Sequence, residues 1–144
     1  MRFGPLYRFP VRMELLETMS TLMKVVAPDW ESAPILRAET ALEELLANSV
    51  AHGGAMSNAS ASDIWLGAVL SGQRLQLRFE DGFAPFDPMD QIDQALRRTA
   101  NPLAQRPPGG LGLLMVFRMA DEFNYQRADG RNRIDLAFVR HKPK

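Results

Sequence analysis

An α+β fold, a two-layer sandwich of mostly antiparallel sheet with helices on one face, is predicted by three observations on this sequence. Residues 63–70 with 74–80, and 123–127 with 131–140, form two pairs of alternating segments joined by short glycine-bearing turns, the signature of antiparallel hairpins. Segments with helical apolar period lie before and between those pairs, and the order strand, two helices, strand pair, polar connection, helix, strand pair gathers helices on one side of a sheet. The 144 residues suit a single domain, 1–144, long enough to bury about two thirds of its unfolded surface.

Taken in order, residues 5–10 (PLYRFP) form a short edge strand, since the bracketing prolines cannot donate to a central ladder. From Val11, the residues Leu15, Leu16, Met19, Leu22, Met23 and Val26 recur at helical spacing, and Pro28 stops that helix near Ala27. Ser32 caps a second helix with Pro34 in its first turn, and His52-Gly53-Gly54 ends it, glycine taking the left-handed conformation there. The loop 55–62 is small and polar, and the first hairpin turns at Ser71-Gly72-Gln73. After that hairpin, DGFAPFDP at 81–88 is turn chemistry, with Phe86 burying its ring and Asp87 organising the turn. A polar stretch with weak helical period follows and closes on Arg106-Pro107-Pro108, so 88–108 reads as a lid or a disordered connection. Glycines 109, 110 and 112 open a helix over 113–121, whose Leu114, Met115, Phe117 and Met119 are expected in the core. Asp129-Gly130 turns the last hairpin, and the basic tail 140–144 is expected to fray.

Composition narrows the function classes. Lysine plus arginine and aspartate plus glutamate both number 17, so the basic field that gathers nucleic-acid phosphates is missing and no direct nucleic-acid partner is expected. Cysteine is absent, which removes disulfides and thiolate metal sites and suits a reducing compartment. The longest run of apolar side chains, 113–117, cannot span a bilayer, and the first residues carry no apolar core with a cleavage site. A soluble cytoplasmic domain without a membrane partner is the expectation.

Three segments carry chemistry. In 41–53, ALEELLANSVAHG, Glu44, Asn48 and His52 stand four residues apart and share one ridge of a helix, opposite Leu42, Leu45, Leu46 and Val50. The Asn48 carboxamide suits a hard cation such as Mg²⁺, and Glu44, one turn away, could take a proton from a nearby hydroxyl or water. Taken alone, the ridge more readily describes the solvated side of a core helix. Asp81-Gly82 ends a strand where an acceptor-only carboxylate could receive an exocyclic amine such as that of adenine, or serve simply as an acidic turn. Gly109-Gly110-Leu111-Gly112 precedes an apolar helix whose first N–H groups and dipole suit a phosphate, with Arg106 within reach of a terminal phosphate; a flexible turn with an exposed lid charge is the plainer alternative.

In order and spacing, these segments resemble the three boxes of the GHKL or Bergerat ATP-binding superfamily, most closely its anti-sigma-factor serine/threonine kinases of bacterial partner switching. Glu44, Asn48 and His52-Gly53 match the first box, Asp81 through Pro88 the second, and GGLGLLMVFRMADEFNYQRADGRNRIDLAF at 109–138 the third. The resemblance implies the Bergerat fold, ATP and Mg²⁺ as cofactors, Asn48 as the metal ligand, and Glu44 as the general base for a serine or threonine hydroxyl. It implies further that Asp81, with Gly82, holds the adenine amine, and that His52, Gly53, Arg106, Gly109, Gly110, Leu111 and Gly112 complete the nucleotide site.

Two positions depart from the pattern. Phe83 stands where the second box has glycine, with Gly82 one place early, and counting from Asp129-Gly130-Arg131-Asn132 puts Asp135 where the last hairpin has threonine near adenine. A ring and a second carboxylate there would narrow the pocket or raise a carboxylate pKa by repulsion. The implied function is an anti-sigma factor that phosphorylates a STAS-domain anti-anti-sigma protein, with a sigma factor as second partner and a homodimer as its assembly. The alternative is a non-catalytic module that regulates its partner by nucleotide-dependent sequestration. The catalytic half of a histidine kinase is not expected, because His52 lies inside the nucleotide box, His141 lies in the tail, and no phosphoacceptor helix pair precedes the box.

Overall fold

Side-chain alternation builds five antiparallel strands in the computed structural model, which describes residues 3–10, 15–56, 63–100 and 111–140. They are β1 (Tyr7–Pro10), β2 (Asp63–Ser71), β3 (Arg74–Asp81), β4 (Glu122–Ala128) and β5 (Arg131–Val139), in the sheet order β1-β2-β3-β5-β4. Both hairpins turn where positive φ is available: Gly72 at 60°, and Asp129 and Gly130 at 52° and 74°, two consecutive left-handed residues as a type I′ turn requires. The expected edge strand thus forms at β1, and both hairpins form where the turn residues place them.

Helices α1 (Leu15–Val26), α2 (Ser32–Met56), α3 (Pro88–Ala100) and α4 (Leu111–Met119) complete the described elements. Ile64 and Leu66 of β2, Leu75, Leu77 and Phe79 of β3, and Ile134, Leu136 and Phe138 of β5 alternate onto the inner face. There they meet Met19 and Met23 of α1, Leu42, Leu45 and Leu46 of α2, and Leu113 and Val116 of α4. Each such leucine stabilises the fold by about 1.5–3 kcal/mol relative to exposure, so the face that presents Glu44 and Asn48 is fixed by the leucines behind it.

Three expectations change. Helix α2 does not end at Gly53-Gly54 but runs through both to Met56, since glycine accepts helical φ as readily as left-handed φ. The front of the polar connection is helix α3, which buries Ile92 and Ala95 and is led in by Asp87, whose Oδ1 accepts the Met89 N–H at 2.9 Å; residues 101–110 lie outside the described part. Helix α4 starts two residues earlier than expected and buries Leu113, Leu114 and Val116. Met115 is 39% exposed on the far side of that stripe, and Phe117, 36% exposed, meets Phe123 of edge strand β4 edge-on at 5.7 Å.

The outer face of the sheet is charged and internally paired. Arg78 holds Asp135 through two hydrogen bonds, Nε to Oδ1 at 2.7 Å and Nη2 to Oδ2 at 2.9 Å, which raises the guanidinium pKa further above its ordinary value. Glu80 is 1% exposed, with Arg133 at 2.6 Å and Arg131 at 3.2 Å, and the Arg131 guanidinium lies 3.5 Å from the centre of the Trp65 ring. Phe3 and Leu6 cross this face over Gly67, where a β-carbon would run into Leu6.

Candidate functional site

The inner face, by contrast, carries polar groups that converge at the end of β3. Asp81 is the last residue of that strand, so alternation turns its side chain toward α2 while Glu80 faces away. Asn48 and Ser49 of α2, Asp81, Phe83, Phe86 and Asn132 of β5 line a pocket of about 110 Å³. The Ser49 hydroxyl donates to Asp81 Oδ2 at 2.9 Å. On Oδ1, Asp81 accepts Asn132 Nδ2 at 2.8 Å and the Phe83 N–H at 3.2 Å.

Asn132 is the hub of this end. It is 6% exposed; its Oδ1 accepts the Phe86 N–H at 3.0 Å and the Tyr125 hydroxyl at 2.7 Å, and its Nδ2 also donates to Ala84 O at 2.9 Å. Two donors face the oxygen and acceptors face the nitrogen, so the amide has one satisfactory orientation. Arg127 adds a bond from Nη1 to Phe83 O at 2.7 Å, tying the 83–86 turn to β4.

The other end is built differently. Glu44 and Asn48 are half-buried, one helical turn apart, and neither side chain has a hydrogen-bond partner among the described residues. Gly112, the second residue of α4, lies against Glu44 so closely that a β-carbon there would collide with Oε2. The missing side chain therefore lets a carboxylate stand beside the start of α4, where the helix dipole is positive. Among the described residues no group of three or more histidine, aspartate or glutamate side chains could cage a metal. The donor set nonetheless fits Mg²⁺, which is commonly held by one or two protein oxygens plus phosphates and water: the uncommitted Asn48 carboxamide offers one such oxygen.

The sequence-derived site residues thus divide into three groups. Asn48 and Asp81 share one pocket, and Glu44 stands a turn from Asn48 and against Gly112. His52 and Gly53 lie in the last turns of α2, Gly82 follows β3 directly, and Leu111 opens α4, 50% exposed. Arg106, Gly109 and Gly110 lie outside the described residues.

Asp135 is a correction. It does not reach the pocket: in β5 alternation carries Asn132, Ile134 and Leu136 inward and Asp135 outward to Arg78, and Asn132 lines the pocket instead. Phe83 does line the pocket. Ser49, Tyr125 and Asn132 went unread as site residues, although β-strand parity counted from the Asp129-Gly130 turn singles out Asn132.

With the geometry in place, comparison with known proteins defines the class. The catalytic domain of the histidine kinase ThkA, in a nucleotide-free form, aligns with a TM-score of 0.51 at 12% identity, over 94% of this chain and 95% of that one, which shows a shared fold. The model of the histidine kinase-like ATPase domain matches residues 9–138, and the chain belongs to that family, within the ATP-binding GHKL superfamily. No curated protein matches the sequence. No helix among the described residues is long and apolar enough to cross a membrane.

Proposed function

We propose that this chain is an anti-sigma factor and serine/threonine protein kinase of a bacterial partner-switching system, using Mg-ATP to phosphorylate a STAS-domain anti-anti-sigma protein. The observation that carries the catalytic part is the pair Glu44 and Asn48, one turn apart and without a side-chain hydrogen-bond partner among the described residues, with Asn48 lining the pocket that holds Asp81. The partner assignment rests on the sequence resemblance at the three boxes. A sigma factor is the second partner, the assembly is a homodimer, and the setting is the cytoplasm.

In this reading Asp81 and Gly82 hold the adenine edge. His52, Gly53, Arg106, Gly109, Gly110, Leu111 and Gly112 surround the phosphates, and Asn48 is the protein ligand to Mg²⁺, which when bound neutralises phosphate charge. Phosphoryl transfer asks the protein mainly for positioning and charge stabilisation. Glu44 takes the proton from a substrate serine or threonine hydroxyl, that oxygen bonds the terminal phosphorus, and the bond to ADP breaks. Incubation with Mg-ATP and the cognate STAS protein is expected to give phosphoserine or phosphothreonine, and Glu44→Ala to abolish transfer while nucleotide binding persists. Transfer by Glu44→Ala at the unmutated rate would remove Glu44 from the role of base.

Phe83 favours a second reading. Its ring lines the pocket where the family pattern has glycine, which suits a module that regulates its partner by sequestration without phosphorylating it. Calorimetry separates the two: the kinase requires ATP and ADP binding, and heat from neither leaves the sequestering module alone.

A further inference from the structure

Asp81 has fewer acceptor sites to offer a ligand than its carboxylate suggests. An ionised carboxylate carries about four lone-pair sites. Asn132 Nδ2 and the Phe83 N–H fill both on Oδ1, and Ser49 fills one on Oδ2, leaving a single site among the described residues.

Resting on the reading of this pocket as the base site, we infer that Asn132 is a specificity-determining positioning residue: by closing Oδ1 it restricts Asp81 to one acceptor site and so selects adenine over guanine. Adenine presents one amine donor at its six position beside a ring acceptor, which one site satisfies. Guanine presents an oxygen there, which a carboxylate repels, and its adjacent N1–H and amine donors need both carboxylate oxygens for a paired contact. Asn132 denies that second oxygen. The two donors on its own Oδ1, from Phe86 and Tyr125, keep its nitrogen turned to Asp81 rather than flipped.

The same geometry governs what a carboxamide at position 81 would do. Because Asn132 Nδ2 demands an acceptor, the oxygen introduced by Asp81→Asn is held toward Asn132. Its nitrogen then takes the place of Oδ2, where the Ser49 hydroxyl accepts from it. A donor now faces the base, matching the guanine oxygen and opposing the adenine amine.

Binding of ATP and GTP, each with Mg²⁺, is measured by calorimetry on the full chain, with thermal melting to establish folding. The unmutated protein is expected to prefer ATP, Asn132→Ala to reduce that preference at least about tenfold by admitting GTP, and Asp81→Asn to reverse it by about tenfold, the scale of one hydrogen bond to a charged group. Asp81→Asn is nearly isosteric and keeps the test valid if Asn132→Ala fails to fold. Binding of neither nucleotide by the unmutated protein overturns the base-site reading itself. ATP binding with an unchanged ratio in folded Asn132→Ala, or with no shift toward GTP in Asp81→Asn, overturns the role of Asn132 and leaves the base-site reading standing.

Discussion

The polar groups around Asp81 and the pair Glu44 and Asn48 on helix α2 are constructed on opposite principles. At the end that the proposed function gives to the base, Asp81 and Asn132 are engaged by Ser49, Tyr125 and the 83–86 turn, so their orientation is set before any ligand arrives. At the other end Glu44 and Asn48 have no such partners among the described residues and are kept near one another by the helix that carries them, with the bare backbone of Gly112 against Glu44. The contrast separates two tasks. Recognition gains from groups fixed in advance, because less ordering is lost on binding, whereas groups that meet a cation or a moving proton must have unshared lone pairs left to offer.

Gly112→Ala is the sharpest way to break that contrast. The added methyl displaces only the far end of a flexible glutamate, and alanine favours a helix over glycine by roughly 0.5–1 kcal/mol, so the melting temperature is expected to hold or rise. Phosphotransfer should nonetheless fall by about a hundredfold, the scale of a small misplacement of a reacting group. A variant that melts higher and works at full rate would show that the position of Glu44 is unimportant.

Ser49→Ala addresses the opposite end and should do less. It removes one donor from Asp81, at a cost of about 1 kcal/mol in stability, and weakens ATP binding several-fold while the chemical step of bound ATP is unchanged. Single-turnover kinetics would check this, and a loss confined to the chemical step would contradict the division of labour between the ends.

The smallest effect is expected far from both. Arg140 donates to Glu31 at 2.7–3.0 Å, and that hydrogen bonding holds the Glu31 carboxyl below its ordinary pKa. A depressed carboxylate pKa contributes stability that is full above the unfolded value and fades as pH falls through the folded one. Arg140→Gln should raise the Glu31 midpoint toward the ordinary carboxylate range in an NMR titration, leaving the pocket residues and Glu44 untouched. An unmoved midpoint would assign the shift to something other than the pair.

Much of the fold was readable because its signals are local. Alternation fixed the strands, Asp129-Gly130 fixed the last hairpin, and the leucines of α2 fixed which side of that helix faces the sheet. The elements that slipped were the end of α2, where glycines accept helical φ, and two whose limits depend on packing: α3, whose mostly polar sequence hides the buried pair Ile92 and Ala95, and α4, whose apolar residues outnumber the positions its neighbours can cover. Within the candidate site, the placement of Glu44 and Asn48 a turn apart on one helix was legible from their spacing, and that of Asp81 from its position at a strand end. Asn132 was not, because its importance comes from five partners scattered from Asp81 to Tyr125, and counting residues without respecting strand parity pointed to Asp135 instead.

Glu80 and Asp81 stand side by side in β3 with their carboxylates on opposite faces, one met by two arginines and the other by neutral donors. A slip of β3 by a single residue would exchange them, pushing the longer acid into the pocket and stranding the shorter one among guanidiniums. The buried ion cluster behind the sheet therefore works as a detent: together with the inward Leu75, Leu77 and Phe79 it opposes that slip and keeps aspartate on the pocket side, so on the proposed function a variant that loosens it should blur base recognition from the far side of the sheet.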